Sequence, residues 1–373
     1  MENTPLVIDN KKNTNSKIAA VAKWTAEHAT LPKQGSQAWL DGRKFRIGGS
    51  QCATIEGSSP WGNKKDLIAQ HLGLTQFMGN AACMWGKITE EVTTIAFEIL
   101  FDCSVYVPGS IPHPTVTCHA NSPDGVTYIK AWDKIVLIEI KNPSGRIPGS
   151  TIPKYYKSQI KSGLSTIPIC DFALFVDHMQ RKCAHDDLRP TSRKYDTRYH
   201  NEVRDRVRND PILITMLGVY CYEEPYQPSA QLIDFGKSDK AEFENMLKAI
   251  VVHNTWSVHY GQVYICDGAF PAPAPSDWIT EFDTYCQKNN YHMIGVLPLK
   301  TFRLSIIPMH REPDYIENLQ DEMYRIVNII KELDGLDPMI QKSKLSQYFD
   351  TPHDRKVNTD ILKRKLAKCG LPG

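Results

Sequence analysis

The sequence has no C-x-x-C pair, no long apolar run, no internal repeat and almost no excess charge of either sign. Each absence removes a class of explanation. Ten cysteines lie singly, at positions 52, 83, 103, 118, 170, 183, 221, 266, 286 and 369. That scatter speaks against thiolate-held zinc or iron–sulfur sites. Several sit in apolar stretches, such as Cys103 and Cys170, as expected of reduced, mostly buried thiols in an intracellular, non-secreted protein. No stretch could span a bilayer, and the start does not read as a secretory signal, so no membrane partner is expected. The net charge of +2 names no partner, so any nucleic-acid contact needs a local basic patch.

What is present suits a globular chain. Length 373 and an apolar fraction of 41% allow one large domain or two ordinary ones. Residues 1 to 16 are polar and are expected to be disordered. A short helix is expected over 17 to 28, and short helices broken by glycines over 36 to 73. Residues 80 to 101 predict one long helix, with Trp85, Ile88, Val92, Ile95 and Ile99 on its apolar face. Strands are expected at 104–107, 115–120, 134–141 and 171–177, and a helix at 153–163. A helix between two apolar strands predicts a crossover on a mixed sheet. Beyond it, strands are expected at 218–222 and 231–235, a helix at 238–253, a stiff loop "FPAPAPSDW" and an amphipathic helix at 313–334. The chain ends in a polar, basic extension, 341 to 373.

One strand carries charges where none are expected. In "NSPDGVTYIKAWDKIVLIEIKN", residues 121 to 142, the apolar run ends in Glu139 and Lys141. Alternation puts these two on one face, with Ile138 and Ile140 on the other. If the segment after Asp124 pairs with this strand, Asp124, Glu139 and Lys141 converge at a sheet edge. Two carboxylates there suit Mg²⁺, and a lysine could orient a water and offset charge at phosphorus. The plain alternative is a strand-end ion pair, and the pattern alone does not separate them.

Other candidates read as structural when taken alone. Arg43 and Arg46 read as solvated charges. Trp61 and Trp85 read as core rather than as platforms for stacked bases. The basic stretch 181 to 208 reads as a solvated helix face before a DNA-backbone contact. His178 and His185 lack metal-ligand spacing.

Four blocks, in order, resemble the lambda exonuclease and YqaJ-like viral recombinase family of PD-(D/E)xK nucleases: "WLDGRKFRIGGSQCATIEGSSPW", "WGKITEE", "NSPDG" with "EIKNP", and "YYKSQI". They cover about residues 36 to 177. The helical additions and long C-terminal extension are closer in style to homologues from large DNA viruses than to phage proteins. The resemblance implies an α/β (α+β) fold with a restriction-endonuclease-like core and a mixed central sheet flanked by helices. It makes 17 to 340 a single nuclease domain, with its core at 36–177 and decorations at 178–340.

By position, the resemblance makes Glu90, Asp124, Glu139 and the Ile140 carbonyl metal ligands, for two Mg²⁺ per site or Mn²⁺ in their place. Lys141 would orient the attacking water and Gln159 would contact the nucleophile region. Arg43 and Ser50, joined by Ser122, would form a 5′-phosphate pocket. Gly48 and Gly49 would bring backbone N–H groups to the phosphate near a helix start. Two departures stand out: the loop from Asp124 to Glu139 is longer than in the phage enzyme, and Lys161 replaces a second glutamine. The implied activity is 5′-to-3′ digestion of one strand at double-stranded DNA ends, leaving 3′ overhangs for recombination, repair or replication of viral DNA. A structure-specific endonuclease, an RNase and an inactive DNA-end-binding factor stay open. A single-strand annealing protein and a homo-oligomer are compatible partners, in host cytoplasm or nucleus.

Overall fold

The computed structural model describes residues 10–32, 36–75, 79–185, 188, 212–228, 231–266 and 274–349. Helix α1 (Asn10–His28) opens the described chain. It begins inside the stretch expected to be disordered. Val21 is buried and Trp24 partly buried against the sheet's cluster. Once that docking nucleates a helix, each further turn is cheap to add.

Next come α2 (Gln37–Arg43), β1 (Ile47–Gly48), a 3₁₀ turn (Gly49–Gln51), α3 (Cys52–Ile55) and α4 (Lys64–His71). The long helix α5 (Ala81–Phe101) follows, capped by the Asn80 side chain. Then come β2 (Ile111–Pro112), β3 (His119–Asn121), β4 (Gly125–Ile129) and β5 (Lys134–Lys141). Helix α6 (Lys154–Thr166) leads to β6 (Phe172–Lys182). The second half holds β7 (Ile212–Cys221), β8 (Ile233–Asp234), α7 (Lys240–Val251), β9 (Ser257–Tyr260) and β10 (Tyr264–Cys266). It closes with α8 (Pro275–Asn289), β11 (His292–His310), α9 (Gln320–Leu333) and α10 (Pro338–Tyr348).

The main sheet runs β10-β7-β11-β6-β5-β4, with β8 added to β11 and β9 to β7. β4 and β5 form an antiparallel pair, and β5 and β6 are parallel across the α6 crossover. A small sheet, β1-β3-β2, sits apart. β5 is covered on both faces. Ile135 and Leu137 pack with Ile160 and Leu164 of α6. Val136, Ile138 and Ile140 pack with Phe97 of α5. Helices α4, α9 and α10 bury a further cluster with Ile47 and Cys52. Leu345 and Phe349 of that cluster lie beyond 340, where the extension was expected to begin.

The longest strand, β11, has no counterpart in the expectations. Its first part pairs with β7 and its second with β6, so it joins the two halves of the sheet. The β6 ladder ends at Pro298, which accepts the Cys183 N–H at 3.0 Å. Proline has no N–H to return, so the ladder stops there. Gly295, Pro298, Lys300 and Arg303 hide this strand from an alternation test.

Other expectations are corrected. The expected strand at 104–107 is a single bridge, Tyr106 to Val126, and 115–120 shortens to β3. The end of "FPAPAPSDW" opens α8 with Pro275 in its first turn, and 267–273 lie outside the described residues. The 313–334 helix starts only at Gln320, after a 3₁₀ turn. Trp85 is buried, but Trp61 is 71% exposed.

On α5 the buried stripe leaves the expected residues: Ile99 is 48% exposed, while Ala96 and Phe97 are buried. Steps of three and four average 3.5 residues, and a straight helix at 3.6 drifts off that line. Phe97→Ala should therefore lower unfolding free energy by about 3–5 kcal/mol. Ile99→Ala should cost less than about 1 kcal/mol in the same urea titration. Equal losses would mean that α5 is rotated from the described position.

Candidate active site

The β4–β5 hairpin assembles the charged cluster. Gly125 pairs with Ile138, which sets Asp124 beside the end of β5. Its carboxylate accepts the Ile140 N–H at 2.6 Å. The Lys141 ammonium sits on Glu139 in a very short ion pair. It also donates to the Ile140 carbonyl at 2.8 Å and lies 3.7 Å from the Asp124 carboxylate. The described side chains thus gather one cation on three oxygens, from Asp124, Glu139 and Ile140.

The electrostatics explain why a cation is needed. Glu139 is 3% exposed. Burial first, then Asp124 and Glu90, push its carboxyl up to about 8, against the pull of Lys141. Burial alone would lower Lys141, but Glu139 and Asp124 outweigh it and hold the ammonium well above its ordinary range. Glu90, on α5, is raised too, by surrounding protein and by Asp124, although it opens to the cleft and keeps access to water. Glu139, Asp124 and Glu90 thus face one ammonium, that of Lys141.

This donor set fits a hard divalent cation, because acidic oxygens and a backbone carbonyl already surround a positive charge. Among the described residues, no three His, Cys, Asp or Glu side chains stand ready as a closed metal shell. Lys141 holds the place, and Glu90 stands on the facing helix.

A cleft of about 190 Å³ opens beside this cluster. Its lining includes Arg43, Ser50, Glu90, Ser122, Asp124, Lys141 and Gln159. Arg43 lies over the Trp39 ring at 4.3 Å, and the Trp39 indole N–H donates to the Ser122 hydroxyl at 3.2 Å. Burial lowers the Arg43 pKa, yet a guanidinium stays charged at any working pH. Ser50 and Arg46 are exposed on the rim. Gln159, on α6, reaches the cleft one turn after Tyr156.

Several expectations change here. The Gly48 N–H is taken by the Gln51 side chain at 2.8 Å, so it is not offered to a ligand. Lys161 pairs with Glu312 at 2.6 Å and does not line the cleft. His178 is buried between Thr93 and Thr301, and burial drives its pKa down to about 3. His185 lies past β6, its N–H on Asp234. Arg181 and Lys182 are bound to backbone carbonyls of Ser144 and of 235–238, and most of 181–208 lies outside the described residues.

The sequence alone did not single out several polar groups packed around the charged cluster and beneath the cleft. Asp177 faces Lys141 across the β5–β6 ladder and is held bidentately by Arg146. Its position at the end of an apolar strand was the available signal. Asn121 and His119 both contact the Ser162 hydroxyl, at 3.0 and 2.9 Å, tying β3 to α6. Gly49 packs against this knot. A Cβ there would lie 2.1 Å from the Asn121 amide. Gly49→Ala should cost about 1–3 kcal/mol in thermal unfolding. A variant as stable as the wild type would show that the floor of the cleft can yield.

Residues 38–166 match the family described as the YqaJ-like viral recombinase domain. Among curated proteins, the chain is similar to protein D345L of African swine fever virus. The isolate Tick/Malawi/Lil 20-1/1983 protein is 25% identical over 314 residues, 77% of this chain and 83% of the relative. The Badajoz 1971 Vero-adapted protein is 25% identical over 317 residues, with the same coverage. Among solved structures, an alkaline exonuclease (LHK-Exo) from Laribacter hongkongensis is 25% identical with a TM-score of 0.32, covering 39% of this chain and 74% of that one. LHK-Exo in complex with dAMP is 14% identical with a TM-score of 0.37, covering 90% and 100%. The residues that line the cleft all fall within 38–166, the stretch that matches the YqaJ-like viral recombinase domain.

Proposed function

We propose that this chain is a Mg²⁺-dependent exodeoxyribonuclease that digests double-stranded DNA from a 5′ end and leaves 3′ overhangs for recombination. The observation that carries the reading is that one cleft holds both the acidic cluster and a guanidinium with two serines. Asp124 and Lys141, with Glu139 and the Ile140 carbonyl on the same ammonium, open into the cleft that Arg43, Ser50 and Ser122 also line. That pairs a site for a scissile phosphate with a site for a terminal one.

Asp124, Glu139 and Ile140, with Glu90 facing them, would hold two Mg²⁺ ions or Mn²⁺ in their place. When bound, Mg²⁺ supplies charge that activates a water and offsets negative charge at the phosphorus. Lys141, released from the three oxygens, would hold the attacking water by hydrogen bonding. Gln159 offers its amide to the same region. Arg43, backed by Trp39, would grip the 5′-phosphate with two parallel hydrogen bonds, and Ser50 and Ser122 would add one each. End gripping disfavours the endonuclease reading, and the intact acidic set disfavours an inactive end-binding factor.

Linear duplexes with a 5′-phosphate should be degraded faster than those with a 5′-hydroxyl, and a closed circle should survive. In Arg43→Ala the preference for phosphate should shrink, because the group that senses it is gone. Time courses on end-labelled duplexes and on a circular plasmid read both effects. Digestion of the circle, or equal rates on both kinds of end, would defeat the proposal.

A pH dependence follows from the crowded carboxylates. Glu139, raised to about 8, releases its proton only as pH climbs through that value. Protons and Mg²⁺ compete for the same oxygens, so apparent Mg²⁺ affinity should rise between pH 7 and pH 9. Mg²⁺ titrations of the cleavage rate at both pH values check this, and a half-saturating concentration that stays level would remove the carboxyl from the binding step.

A further inference from the structure

Outside the cleft, the described surface presents one aromatic side chain in an unusual way. Trp61 is 71% exposed, against 45% for Trp132 and for Tyr222. A single exposed apolar residue ordinarily needs no explanation. Trp61 differs because its loop is held and because its ring begins a row that ends at the active site.

The loop is fixed at both ends. The Trp61 N–H donates to the buried Ser59 hydroxyl at 3.2 Å. Two residues on, Asn63 and Asp66 exchange hydrogen bonds in a capping box that starts α4. Trp61 therefore stands out from a rigid turn.

The row is continuous. Trp61 meets Tyr155 edge-on, with centroids 6.0 Å apart. Tyr155 and Tyr156 are 4.4 Å apart. The Lys141 ammonium lies 5.5 Å from the Tyr156 ring centre. Lys154 and Lys157 flank the tyrosines in the first turn of α6, and both are exposed. A basic-aromatic-aromatic-basic turn beside an exposed indole is the composition of a single-strand platform. Lysines track the phosphates there, and rings accept bases of any sequence.

We infer that Trp61, with Tyr155 beside it, stacks an unpaired nucleobase of DNA leaving or entering the cleft. The inference rests on the nuclease reading for the DNA's position, but its test does not need cleavage. Fluorescein-labelled oligothymidylate and a blunt duplex of equal length are titrated by anisotropy in EDTA with wild type, Trp61→Ala and Trp61→Phe. Stacking is worth a substantial part of single-strand affinity. Trp61→Ala should weaken single-strand binding about tenfold and duplex binding less than about twofold, and Trp61→Phe should keep most of the affinity. An abasic strand should bind wild type no better than Trp61→Ala. Trp61 is mostly solvated, so circular dichroism should show an unchanged fold.

Unchanged single-strand affinity in folded Trp61→Ala would overturn the inference while leaving the nuclease reading intact. The expected loss, in a protein that digests no DNA, would support the platform and sink the nuclease reading alone. A change in sedimentation without a change in affinity would assign Trp61 to a contact between copies of the chain, which also overturns it.

Discussion

A carboxylate removed from water must be compensated inside the protein or surrender its charge. Glu139 is such a group, and much of the architecture around it follows. Lys141 lies two residues on and therefore on the same face of β5. Asp124 reaches the pair only because β4 is hydrogen-bonded to β5 in one register. A slip of one residue would turn Glu139 into the Phe97 cluster and leave an ion pair with no partner. The site's charge and the strand's register are one constraint.

The opposite face of β5 carries a second, neutral constraint. Thr93 of α5 bonds the Asn142 amide oxygen at 2.6 Å and meets His178 at 2.9 Å. Gln180 adds bonds to the Thr89 carbonyl and to Thr93. Asn142 follows Lys141, and Thr89 precedes Glu90. A buried network like this is costly if half made, so it ties the helix bearing Glu90 to the strand bearing Glu139 and Lys141. His178 serves this network as a neutral imidazole, since burial keeps its pKa far below physiological pH.

The cleft brings groups of opposite charge into one space. Glu90 and Asp124 line it together with Arg43, which lies on the face of Trp39. The indole spends its N–H on Ser122, so the aromatic shelf and the serine beside Asp124 are positioned together. This link joins helix α2 to the β3–β4 turn, elements that are remote in the chain.

Local patterns revealed the elements whose own periodicity is strong. β5 was legible as an apolar run, α5 by three- and four-residue spacing, and α6 by its proline start. The four sequence blocks then pointed to Arg43, Ser50, Glu90, Ser122, Asp124, Lys141 and Gln159, which line one cleft, but not to Ser110 or Ala120 beside them. β11 was not legible, because its glycine, proline and charges make sense only once two different partner strands lie beside it. Trp61 was misread for a related reason, since an indole in a sequence carries no sign of whether neighbours will cover it. Chain-local physics, strand alternation, was enough to put Glu139 with Lys141, whereas the choice of Glu90 over Glu91 came from the family resemblance and not from helical pitch. Whether Gly48 keeps a free N–H, where Lys161 points and what Arg43 rests on depended on contacts between residues far apart in sequence, and such contacts exist only after the chain has closed on itself.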